Sequence, residues 1–202
     1  GPALLNNITL NLSVLTATAL ISPLGSQALA GFGLGIRLEY LQIPIVFGVG
    51  AAMVAMVGMN TGAGQLVRAR QVAWTGALLA AAATTAVGLL AACFPHAWLS
   101  LFTTDAQAIR TGTQYLRVVG PFYGLFGLGL SLYFASQGAR RMGWSMVAGA
   151  ARLLVVYGAG RLALHWGASL NTLFAVMVAG LLVYAVLNAR PWLARPRDPA
   201  RP

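Results

Sequence analysis

The 202-residue sequence has no lysine, a single cysteine and three acidic residues, Glu39, Asp105 and Asp198. Charged residues make up 8% of it, against about 25% in a soluble domain, so there is too little charge to cover a water-facing surface. Cys93 has no second cysteine for an internal disulfide or a metal pair, and is expected to be a small buried residue of a helix. The two histidines, His96 and His165, are far apart, and the chain lacks His-Glu-x-x-His spacing and a serine nucleophile elbow. An enzyme is therefore not expected, nor a metal site or prosthetic cofactor. What the chain does have is 58% hydrophobic residues and a mean hydropathy of +0.76, which excludes disorder and indicates a membrane protein.

Continuous apolar stretches run at roughly 3–22, 38–59, 72–94, 116–136, 142–164 and 168–188, each close to the ~20 residues that cross a bilayer. They predict an all-α, polytopic bundle of six transmembrane helices within residues 1–188, followed by an arginine- and proline-rich tail over 189–202. A membrane barrel would instead alternate polarity in segments of about ten residues. The net charge of +10 comes from thirteen arginines. Arg68 and Arg70 follow the second run, Arg140 and Arg141 the fourth, and Arg190, Arg195, Arg197 and Arg201 the sixth. Basic residues concentrated in every second connection are the pattern of a cytoplasmic membrane face facing anionic lipids, not of a nucleic-acid surface. That pattern puts both ends of the chain inside the cell. Thr104-Asp105-Ala106-Gln107 has the spacing of a capped helix start, so a short interfacial helix is expected within 96–111, with Trp98, Leu101 and Phe102 at headgroup level. Glycine and proline fall inside the runs, notably Pro44 and Gly120-Pro121, where a kink is expected.

Polar groups in hydrocarbon are costly unless they face a bundle interior or a wet cavity. Asn7, Asn11 and Thr18 share one helical face, lining a cavity or bonding a neighbouring helix. Glu39 is the only carboxylate beside a membrane segment, close to Arg37 and Gln42, and is the candidate for ion coupling; its alternative is a structural pair with Arg37 near the outer interface. Arg152, near the middle of the fifth run, should meet a carboxylate, carbonyls or a wet cavity, and with so few membrane acids its partner is sought outside this chain. Arg37 and Arg152 are thus the candidate structural charges.

The stretch ALAGFGLGIRLEYLQIPIVFGVGAAMVAMVGMNTGAG, Ala28 to Gly64, resembles the multidrug and toxic compound extrusion (MATE) family of cation-coupled exporters. So do Leu101-Phe102-Thr103-Thr104-Asp105, Tyr115-Leu116-Arg117 and Gln137-Gly138-Ala139-Arg140. The resemblance implies the second six-helix lobe, helices seven to twelve, of a twelve-helix transporter in a bacterial inner membrane. It implies multidrug efflux of amphipathic organic cations in exchange for protons or sodium, with a missing N-terminal lobe or a second copy as partner. The sequence departs from relatives at Met59 and Ala139, and its helices seven and ten lack the acids that bind the coupling ion in one branch. Glu39 then remains the coupling candidate, and Asn7, Asn11, Gln42 and Tyr123 the expected substrate-cavity wall. A transport-inactive half-length assembly module, or a lipid flippase of related architecture, is the alternative.

Overall fold

A computed structural model of the chain describes residues 2–193, with side chains described for 8, 9 and 11–193. Eight α-helices follow one another: α1 (Pro2–Ile21), α2 (Ser26–Gly62), α3 (Leu66–Cys93), α4 (Pro95–Leu99), α5 (Ala106–Val119), α6 (Tyr123–Gly138), α7 (Gly143–His165) and α8 (Leu170–Leu193). Among the described residues there is no strand. Five helical stretches are long and apolar enough to cross a membrane: α2, α3, α5 continued into α6, α7 and α8. A shorter apolar helical stretch, Asn11–Leu24, covers the far part of α1. The chain is a multi-pass membrane protein.

The departures from expectation have local causes. α2 starts twelve residues before the expected position 38 and spans about 55 Å at 1.5 Å per residue, more than a hydrocarbon core. Its early glycines do not end it, because they are used for packing: Gly31 faces the backbone of Ala108 and Gly112, and Gly35 lies against the Tyr115 ring. Pro44 stays inside the helix and removes only the hydrogen bond to the Tyr40 carbonyl, on an exposed turn. The fourth crossing begins at Ala106 instead of 116 and is interrupted by a 3-10 turn over Gly120–Phe122. At this break the backbones of Gly88 and Gly120 touch, and a Cβ on Gly88 would overlap the Gly120 carbonyl oxygen. The last helix runs to Leu193, so residues 189–193 belong to it; Arg195, Arg197 and Arg201 lie outside the described residues.

The region expected as one interfacial helix is divided between α4 and the start of α5. The cap is Asp105, not Thr104: its Oδ1 accepts from the Ala108 amide at 2.7 Å, and its own amide donates to Thr103 Oγ1 at 3.1 Å. Trp98 is half-buried and donates through Nε1 to the Leu34 carbonyl at 3.1 Å, which ties α4 to α2. Cys93, expected to be buried, is exposed, because it falls on the last residue of α3.

A tryptophan and arginine cluster joins the other end of the bundle. Arg70 donates to the Leu193 carbonyl at 3.3 Å, and Trp74 donates to the Trp192 carbonyl at 3.1 Å. Trp192 donates to Ser136 Oγ at 3.1 Å, and the Arg190 guanidinium stands 4.2 Å from the Trp144 ring centroid. The start of α3, the end of α6, the start of α7 and the end of α8 therefore share one arginine-bearing end.

Candidate functional site

Glu39 occupies the middle of the bundle because of what stands one helical turn before it. Gly35 has no side chain, and the Tyr115 ring fills the space a Cβ would need. Phe32 and Phe174, stacked on each other at 6.4 Å, each meet that ring edge-to-face with centroids at 5.4 Å. Tyr115 is thus fixed by packing, and its hydroxyl donates to Glu39 Oε2 at 3.3 Å. From α7, Arg152 Nη2 donates to Glu39 Oε1 at 3.4 Å. Both charged side chains are buried, at 7% exposure for Glu39 and 6% for Arg152.

This overturns two expectations. Arg152 finds a counterion inside the chain, 113 residues away. Arg37 is not the partner of Glu39, because residues two apart on a helix point to different faces. It is exposed, with its guanidinium 5.5 Å from the Phe102 ring centroid.

A cavity of about 140 Å³ opens beside the ion pair, between α1, α2, α6 and α7. Asn11, Glu39, Tyr40, Phe47, Phe126 and Arg152 are on its wall. The wall combines apolar and aromatic surface with one compensated charge pair, as small-molecule sites do. Of the expected wall, Asn11 is present and Asn7 lies outside the described side chains. Gln42 and Tyr123 are fully buried and off the lining. Gln42 Nε2 donates to the Leu38 carbonyl at 3.3 Å, whereas Gln42 Oε1 has no hydrogen-bond partner.

Tyr115 was not singled out from the sequence as a site residue, although its hydroxyl meets the buried carboxylate. Its motif with Leu116 and Arg117 was recognisable, but nothing local shows that its hydroxyl meets a carboxylate 76 residues earlier. A glycine one turn before a lone membrane carboxylate was the available signal.

Comparison with known proteins agrees with this architecture. The MatE family model matches residues 2–159. Over 155 residues the chain is 28% identical to the FAD transporter of Shewanella oneidensis, covering 77% of this chain and 34% of that protein. Over 121 residues it is 27% identical to the probable multidrug resistance protein NorM of Thermotoga maritima, covering 60% and 26%. The solved MATE transporter ClbM in complex with Rb+ superposes with a TM-score of 0.89 at 19% identity, over 97% of this chain and 46% of that one. The chain thus spans between a quarter and about a third of these curated relatives and under half of the solved transporter. With the family model covering most of its length, and the helical lobe and its broken crossing in place, the chain belongs to the MatE family.

Proposed function

We propose that this chain forms the second lobe of an exporter that moves amphipathic organic cations out of the cell in exchange for a proton or a sodium ion. Glu39 is its coupling carboxylate. The carrying observation is the position of Glu39: buried, held by Arg152 and Tyr115, and on the wall of the 140 Å³ cavity. A carboxylate so placed changes its balance with Arg152 when a cation arrives, and the cavity wall can register that change. A twelve-helix transporter supplies the remaining wall from its first lobe, or from a second copy of this chain. The arginine-bearing end faces the cytoplasm of a bacterial inner membrane, as retention of basic residues inside requires.

A second reading concerns the charge of the substrate. The Shewanella relative is described as a FAD transporter, and Arg152 also stands on the cavity wall. Export of a flavin dinucleotide is favoured by both. Everted membrane vesicles given an imposed proton or sodium gradient separate the two. Uptake of ethidium without FAD supports the cation reading, FAD without ethidium the second, and uptake of neither removes both.

A further inference from the structure

Beyond the cavity, α7 and α8 carry further buried polar side chains toward the arginine-bearing end. Two contacts set the antiparallel register of these helices: Arg190 over the Trp144 ring, and Arg152 over the Tyr184 ring at 5.8 Å. This register places Asn188 about 6 Å and Ser145 about 10 Å from the level of Arg152, toward the arginine-bearing end. Both residues are 0% exposed. Asn188 Nδ2 donates to the Tyr184 carbonyl at 3.0 Å, but Asn188 Oδ1 and Ser145 Oγ have no hydrogen-bond partner among the described residues. The same is true of Arg152 Nε, although Arg152 Nη2 is committed to Glu39.

Buried polar atoms without partners are uncommon, and within a membrane they carry the full cost of desolvation unless something satisfies them. Here three of them belong to α7 and α8 between the level of the coupling pair and the arginine-bearing end. An acceptor, a hydroxyl and an N–H donor match ordered water, which bridges two to four such groups.

We propose that Arg152 Nε, Ser145 Oγ and Asn188 Oδ1 line a file of bound water that carries protons between Glu39 and the arginine-bearing end. The proposal rests on Glu39 taking up a proton during transport. A proton arriving along the file joins the Glu39 carboxylate and makes it a neutral acid, while Arg152 keeps its own charge. Arg152 from α7, Tyr115 from α5, Tyr123 from α6 and Asn11 from α1 surround that carboxylate, with Tyr40 beside it on α2. Asp105, at the far end of the bundle, is exposed, so Glu39 is the buried acid among the described residues that the file can serve.

The test uses the whole transporter in proteoliposomes on a solid-supported membrane, with charge movement recorded after a proton jump. Wild type is expected to give a transient, Glu39→Gln none, and Asn188→Leu the same charge with about tenfold slower relaxation, equivalent to one lost buried hydrogen bond. A wild-type rate in Asn188→Leu with a silent Glu39→Gln overturns the file alone. A full transient in Glu39→Gln overturns the coupling role, and the file with it. A second measurement covers the case in which Asn188→Leu does not fold. With Cys93→Ser as background, Ser145→Cys should react with a small methanethiosulfonate about tenfold faster than Ala148→Cys, equally buried on the same helix, since the thiolate needs water. Equal rates overturn the file.

Discussion

Arg152 reaches Glu39 across the space between α7 and α2, with 3.4 Å between Nη2 and Oε1, and the two form the ion pair found among the described residues. Removing one partner of such a buried pair leaves the other uncompensated, at a cost of about 3–5 kcal/mol. Arg152→Met is therefore expected to lower the thermal midpoint in detergent strongly, whereas the exposed Arg161→Met leaves it unchanged. Combining Arg152→Met with Glu39→Gln should restore most of the loss. Strictly additive losses in this double-mutant cycle would show that the two groups do not depend on each other.

Tyr115→Phe keeps the ring packed against Phe32 and Phe174 and removes the hydroxyl, which donates to Glu39 and stands beside Tyr123. A hydrogen bond to a charged group contributes about 2 kcal/mol, and thermal unfolding should show a loss of that order. In the Glu39→Gln background the same replacement should cost clearly less. An undiminished cost there would place the effect in packing.

The broken crossing depends on the contact between Gly88 and Gly120. A Cβ on Gly88 overlaps a backbone carbonyl, which cannot turn aside as a side chain does, so Gly88→Ala is expected to cost about 2 kcal/mol. Gly48 has no atom within 4 Å of the corresponding position, and Gly48→Ala should cause no loss. Thermal midpoints of the two variants in one detergent check the difference.

Capping of α5 belongs to Asp105. Asp105→Ala should cost about 1 kcal/mol and speed hydrogen exchange at the Ala108 amide, while Thr104→Ala changes neither. Faster exchange in Thr104→Ala would return the cap to the residue expected from spacing.

The crossings were legible because each must be long and apolar, and the arginines mark which ends lie together. What was not legible depends on contacts between distant segments. The stretch from Ser26 to Arg37 falls before the apolar run expected at 38–59, yet it is helical, and its glycines admit α5. Glu39 stood out as the lone acid, but its partners come from 76 and 113 residues away, and no local pattern records such distances. Arg37, the nearer arginine, was the natural guess and lies on another face. Cys93 was misread because burial was inferred from its apolar run, and helix ends are where such runs meet the exterior.

The central claim is that Glu39 couples ion entry to export. The most direct test is gradient-driven accumulation of an organic-cation dye by the whole transporter in everted vesicles, comparing wild type with Glu39→Gln at matched protein levels. The variant is expected no longer to accumulate dye against its gradient under either a proton or a sodium gradient. Accumulation at the wild-type rate with unchanged ion dependence would contradict it, and Glu39 would then be a structural counterion of Arg152.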